Sequence, residues 1–155
     1  MKEWRIEMAK KSLTRRGLKI IVVGCGKIGS TLVESLSAEG HDVVALEKDA
    51  HVLEQITNMY DVMGVCGNGV DYETLEEAQV EQAELFVAST KSDELNMLSC
   101  FLAKKMGAKQ TIARIRNPEY ETQLRFMRGE LGLTMSINPE KAAAHEIARV
   151  LRFPA

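Results

Sequence analysis

Lys19-Ile20-Ile21-Val22-Val23-Gly24-Cys25-Gly26-Lys27-Ile28-Gly29 reads as a buried strand running straight into a G-x-G-x-x-G turn and then a helix. That order places a nucleotide pyrophosphate against backbone N–H groups at a helix N-terminus. Gly24 lets the chain leave the strand in a tight turn, Gly26 keeps a Cβ out of the phosphate's way, and Gly29 allows close packing of the helix. Lys27 adds a positive charge beside the turn, and Ile28 starts an apolar stripe continued by Leu32, Val33 and Leu36 at helical spacing. Gly40 closes that helix. Val43-Val44-Ala45-Leu46 then forms a short strand, and Glu47 follows it at the distance the dinucleotide fingerprint requires. A carboxylate at that point accepts hydrogen bonds from ribose hydroxyls and repels a 2′-phosphate. Glu47 therefore selects NAD(H), or another adenosine nucleotide with a free ribose, over NADP(H).

The 155 residues suffice for one domain with a sizeable core. At 45% hydrophobic and 27% charged, the composition is that of an ordinary globular chain. No apolar run approaches the roughly 18 residues of a membrane span. Cys25, Cys66 and Cys100 are odd in number and not at metal-ligand spacing, so they read as reduced thiols with no metal site. The net charge of −2 is unevenly distributed. Residues 1–17 carry six Lys/Arg against two Glu and read as a basic N-terminal extension, either flexible or artificially appended. The remaining body is mildly acidic, which argues against nucleic acid as a partner.

Beyond the leader, strands and helices alternate to the end. Asp49 caps a helix over 50–58; a third strand over 61–66 ends in Gly67-Asn68-Gly69, a turn exposing backbone groups at the carboxyl edge of the sheet. Asp71 caps a short helix. A fourth strand over 84–89 leads through a polar loop to a long helix over 93–106, with Leu95, Leu98, Leu102 and Met106 expected to face inward. A fifth strand at 111–115, a helix from Asn117-Pro118 with Tyr120, Leu124, Met127 and Leu131 at core spacing, and a sixth strand at 134–137 follow. In the last helix, from Asn138-Pro139, Ala143, Ile147, Val150 and Leu151 form a stripe that suits either the domain's own core or a partner subunit. The expected fold is α/β: a Rossmann-like, doubly wound, six-stranded parallel sheet with helices on both faces.

Catalysis is not legible. A dehydrogenase needs an acid, base or metal facing the nicotinamide, and a substrate domain. The 138 residues after the leader are consumed by the nucleotide-binding fold, and His41, His51 and His145 are scattered. The expected site holds a nucleotide without transforming it. The alternatives are the cofactor domain of a small NAD-dependent oxidoreductase, and a scaffold whose turn has lost its ligand.

The run from Leu18 onward resembles the TrkA N-terminal domain, also called the RCK or KTN domain. The resemblance rests on the glycine turn and Glu47, on Gly67-Asn68-Gly69, on Ala88-Ser89-Thr90-Lys91-Ser92-Asp93-Glu94-Leu95-Asn96, and on Ala113-Arg114-Ile115-Arg116-Asn117-Pro118-Glu119-Tyr120. It implies a cytosolic, non-enzymatic regulatory unit over 18–155 that binds NAD(H), with ATP or ADP as the alternative ligand. Occupancy would be signalled to a membrane potassium-translocating subunit from a homodimer or larger ring, with the last helix contributing to subunit contacts. By position, the glycine turn of Gly24, Gly26, Lys27, Ile28 and Gly29 would face the phosphates, Glu47 the ribose and Asn68 the neighbourhood of the adenine, with Lys48 and Gly67 also among the binding residues. Thr90, Lys91 and Arg114 would face the far end of the ligand. Members of this family often continue into a second, smaller ligand-binding domain, so the chain reads as a single-domain member or as part of a longer protein.

Overall fold

Every residue of Ile20–Val23 is buried, which requires cover on both faces of the strand that carries them, β1 (Lys19–Val23). The computed structural model describes residues 17–152 and supplies that cover from two sides. Side chains alternate across a strand. Ile20 and Val22 point into a cluster with Val33 of α1 (Lys27–Ala38), Val43 and Ala45 of β2 (Asp42–Glu47) and Ile56 of α2 (Ala50–Met59). Ile21 and Val23 point the other way. They meet Val44, Leu46, Val65 of β3 (Met63–Cys66), Leu75 of α3 (Tyr72–Glu77), Phe86 of β4 (Leu85–Ala88), and Cys100 and Ala103 of α4 (Asp93–Met106). With β5 (Gln110–Arg114), α5 (Glu119–Leu131), β6 (Met135–Ile137) and α6 (Pro139–Arg152), the six strands form one sheet in the order β3-β2-β1-β4-β5-β6. All five pairings are parallel. The chain order reverses between β1 and β4, and this switch point opens a crevice beyond the carboxyl ends of the strands. The expected doubly wound Rossmann-like sheet is the observed one.

Local differences have physical causes. The third strand begins at Met63 rather than Asp61, because Val62 N–H donates to Tyr60 O (2.9 Å) in a tight turn and pairing with β2 starts only at Val44↔Met63. A 3-10 turn at Val80–Gln82, entered through Gln79 with a φ of 59°, was not legible. The largest correction concerns α4. Its buried residues are Asp93, Asn96, Ser99, Cys100 and Ala103, whereas Leu98 is exposed and Leu95, Leu102 and Met106 are half-buried. The small side chains let the helix approach the sheet closely, and the polar ones satisfy backbone groups in the loops above it. In α5 only Leu124 is buried and Met127 is exposed. No residue of α6 is buried among the described residues, and Ile147, Val150 and Leu151 of its stripe are exposed. Of the basic leader, residues 1–16 lie outside the described residues.

The burial pattern generates a contrast. Phe86 is fully buried between β1 and β5, and Phe86→Ala is expected to lower unfolding free energy by about 3–5 kcal/mol in urea titration. Met127→Ala, on the exposed side of α5, is expected to change it by no more than about 0.5 kcal/mol.

Candidate functional site

The glycine turn begins where β1 ends. Gly24 has a φ of +86°, its N–H donates to Leu46 O (2.9 Å), and a Cβ there would stand 2.9 Å from the Thr90 nitrogen. A Cβ on Gly29 would sit 1.7 Å from the Gly24 carbonyl oxygen. Both glycines are therefore demanded by the chain's own backbone. Gly26 is different. Its φ of −69° suits any residue, and no protein atom lies within 4 Å of the Cβ it lacks.

Gly26 also begins α1 without a side-chain cap, and no acidic residue occupies the first turn. By contrast, Asp49, Asp71 and Ser92 accept N–H bonds at the starts of α2, α3 and α4. The first N–H groups of an uncapped helix carry partial positive charge and favour an anion. Lys27 is exposed beside them and Ile28 is half-buried, beginning the inward face.

Glu47 ends β2 half-buried, and its carboxylate holds the turn. Oε2 accepts from Cys25 N–H (2.7 Å) and Oε1 from Asp49 N–H (3.0 Å), leaving lone pairs on both oxygens for ribose hydroxyls. Burial first, and the Glu47 charge second, push the Cys25 thiol up to about 12. Lys48, beside Glu47, is exposed, and its carbonyl accepts from the Cys66 thiol (3.7 Å). At the end of the neighbouring strand β3, Gly67 N–H donates to Glu47 O (3.1 Å), and Asn68 is exposed with Oδ1 accepting from Val70 N–H (3.2 Å).

On the other side of the switch point, the loop after β4 is set by Asn96. Its Oδ1 accepts from Thr90 N–H (2.9 Å) and Thr90 Oγ1 (2.7 Å), while Nδ2 donates to Thr90 O (3.1 Å) and Arg114 O (2.8 Å). All four hydrogen-bonding positions of the amide are used. Ser99 Oγ donates to Gly69 O (2.6 Å), and Asp93 Oδ2 accepts from the N–H groups of Arg116 (3.0 Å) and Asn117 (2.8 Å). One polar stripe of α4, spaced three residues apart, thus anchors the loops after β3, β4 and β5. Sequence reasoning missed this stripe. Its signal was the i, i+3 recurrence of polar residues inside a helix read only for its leucines.

The twelve residues expected at the site all stand at the carboxyl edge of β1 to β5, but they do not converge equally. The glycine turn, Glu47 and Thr90 are brought together around the switch point. The Thr90 hydroxyl is committed to Asn96. Lys91 instead lines a neighbouring cleft of about 360 Å³ with Asp93, Glu94, Arg116, Asn117 and Tyr120. Arg114 is buried, and its guanidinium turns to an ion pair with Glu140 in the first turn of α6; among the described residues its Nε finds no partner.

The profile of the TrkA-N domain family matches residues 20–139. The chain is 35% identical over 135 residues to a Trk system potassium uptake protein TrkA homolog of Methanothermobacter thermautotrophicus, covering 87% of this chain and 61% of that one. It is 39% identical over 137 residues to a second such homolog, of Archaeoglobus fulgidus, covering 88% of this chain and 31% of that one. This chain therefore spans less than two thirds of either relative. Among solved structures, the TrkA-N domain of the inner membrane protein ybaL from Escherichia coli superimposes with a TM-score of 0.75 at 21% identity, over 87% of this chain and 97% of that domain. The GsuK channel bound to NAD gives 0.66 at 21% identity, over 78% of this chain and 21% of that one. GsuK bound to ADP gives 0.63 at 21% identity, over 79% of this chain and 31% of that one.

Two expectations follow from the geometry. Gly26→Ala is expected to cost no more than about 1 kcal/mol in urea unfolding, whereas Gly29→Ala, forced against the Gly24 carbonyl, is expected to cost at least about 2 kcal/mol. Burial holds the Cys25 and Cys100 thiols protonated, with pKa values pushed up to about 12, while Cys66 is exposed. Iodoacetamide at pH 8 is therefore expected to modify Cys66 alone in the native chain, and all three cysteines in urea, as read by peptide mass.

Proposed function

Because the chain belongs to the TrkA-N domain family, we propose that residues 18–155 form a regulatory nucleotide-binding domain of a potassium transport system. Its ligand is NAD(H), with ATP or ADP as the alternative, and its output is the state of a membrane potassium-translocating subunit. The domain works from the cytoplasmic side as a homodimer or within a ring, and carries out no chemistry on the nucleotide. The observation that carries this reading is the empty space over Gly26, at the start of a helix that the chain itself leaves uncapped. No protein atom fills the space of the missing Cβ, so packing supplies no reason for glycine there, and a pyrophosphate supplies one.

In this reading the N–H groups after Gly26, together with Gly24, Gly29, Ile28 and Lys27, receive the phosphates. Glu47 and Lys48 flank the ribose, and Gly67 and Asn68 the adenine. Thr90 faces the far end of the ligand, with Lys91 and Arg114 on its outer side. The names of the two TrkA homologs and the bound states of GsuK support the potassium and nucleotide parts of the proposal. Regulation requires that two ligands prefer different arrangements, since a ligand of equal affinity for both shifts nothing.

Thermal unfolding of the full chain tests the proposal. NAD+ at about a hundred times its Kd adds about 2.7 kcal/mol to native stability, a rise in Tm of about 5 °C or more for a domain of this size. NADPH is expected to give a smaller shift, because its 2′-phosphate meets Glu47, and Gly26→Ala is expected to abolish the NAD+ shift. Equal shifts with NADH and NADPH would remove Glu47 from the ribose. The absence of any shift with NAD+, NADH, ATP and ADP would overturn the reading.

A further inference from the structure

The Thr90 loop follows β4 and α6 follows β6, two strands apart in the sheet, yet one chain of contacts joins them. Thr90 packs directly over Gly24, where even a Cβ would come within 2.9–3.0 Å of its backbone. The side chain of Asn96, fully buried, holds the Thr90 N–H, hydroxyl and carbonyl, and with its remaining N–H holds the Arg114 carbonyl. Arg114 is itself buried, and its guanidinium grips Glu140. Beyond that grip α6 is held loosely. None of its residues is buried, and among the described residues its other side-chain hydrogen bond to the body is Lys141 to Glu121 (2.7 Å), with Asn138, just before the helix, donating its amide to Arg116 O (3.4 Å).

We propose that Asn96 and Arg114 are positioning residues that join the nucleotide loop to α6, so that α6 reports the occupancy of the glycine turn. This rests on the nucleotide site proposed above and specifies its regulation. A ligand that settles against Gly24 and Gly26 fixes the height of Thr90. Because Thr90 and the Arg114 carbonyl share one amide with no spare hydrogen-bonding capacity, neither backbone segment shifts without stretching a bond to Asn96. The Arg114–Glu140 pair carries the constraint from the Arg114 backbone across to the first turn of α6, and among the described residues the guanidinium is held there by its end, its Nε having no partner. The element at the far end is an amphipathic helix whose Ile147, Val150 and Leu151 are exposed, a face whose availability changes with the helix's position.

Hydrogen–deuterium exchange of the full chain, with and without saturating NAD+, tests the inference alongside a direct measurement of NAD+ affinity by calorimetry. In the wild-type chain, NAD+ is expected to slow exchange across residues 141–152 by about fivefold, the lower end of ordinary site-to-site coupling. Glu140→Ala breaks the grip at a half-exposed position and is expected to remove that slowing while leaving NAD+ affinity within about twofold. Glu121→Ala cuts the Lys141 tie without touching Arg114 and is expected to preserve the slowing. Slowing that survives Glu140→Ala, or is lost equally in both variants, would overturn the coupling route. Bound NAD+ with unchanged exchange in wild-type α6 would overturn it too. No NAD+ binding in the calorimeter would instead overturn the nucleotide reading, and this inference with it.

Discussion

The side-chain amide of Asn96 is the constraint on which the carboxyl edge of this sheet depends. Loops at that edge leave strands whose backbone hydrogen bonds stop abruptly, and each buried N–H or C=O without a partner costs about 1–3 kcal/mol. Asn96 satisfies groups from two loops at once, and Ser99 and Asp93 on the same helical stripe satisfy a third loop and the start of α5. A leucine on that face would fill volume and leave the loops unpinned. The helix therefore buries its polar stripe, and its leucines move to the flank.

A second constraint follows from the close approach of the β1 and β4 loops. Thr90, pinned by Asn96, occupies the space beside Gly24, and Ser89 Oγ donates to the Gly24 carbonyl (3.1 Å). Gly24 and Gly29 answer to this crowding. Gly26 faces the opposite condition, open space. Within the half of the edge formed by β1 and β2, Glu47 ties Cys25 to the start of α2, so one carboxylate shapes the turn and, in the proposed site, would border the ribose.

The alternation of buried strands and amphipathic helices made the sheet, its parallel pairing and the switch point legible, because apolar runs such as Ile20–Val23 have few alternative uses. The glycine turn and Glu47 were legible for a similar reason: their spacing has a steric meaning independent of the rest of the chain. What escaped were questions of partnership. Leucine spacing in α4 identified a stripe without saying whether the sheet would lie under it. Nor does sequence order reveal that Arg114 turns to Glu140, 26 residues on, or that the Thr90 hydroxyl is spent on Asn96. The stripe of α6 suits two uses by spacing alone, and its exposure here leaves it available to a neighbour.

In the proposed site the open turn at Gly26 receives the phosphates of a nucleotide. An amide-resolved NMR titration of the chain with NAD+, repeated with ADP, addresses it residue by residue. The largest shifts are expected at the amides of Gly26, Lys27 and Ile28, with smaller ones at Glu47 and Thr90. Shifts confined to the cleft of Arg116, Asn117 and Tyr120, with the amides of the glycine turn unmoved, would contradict this placement of the phosphates.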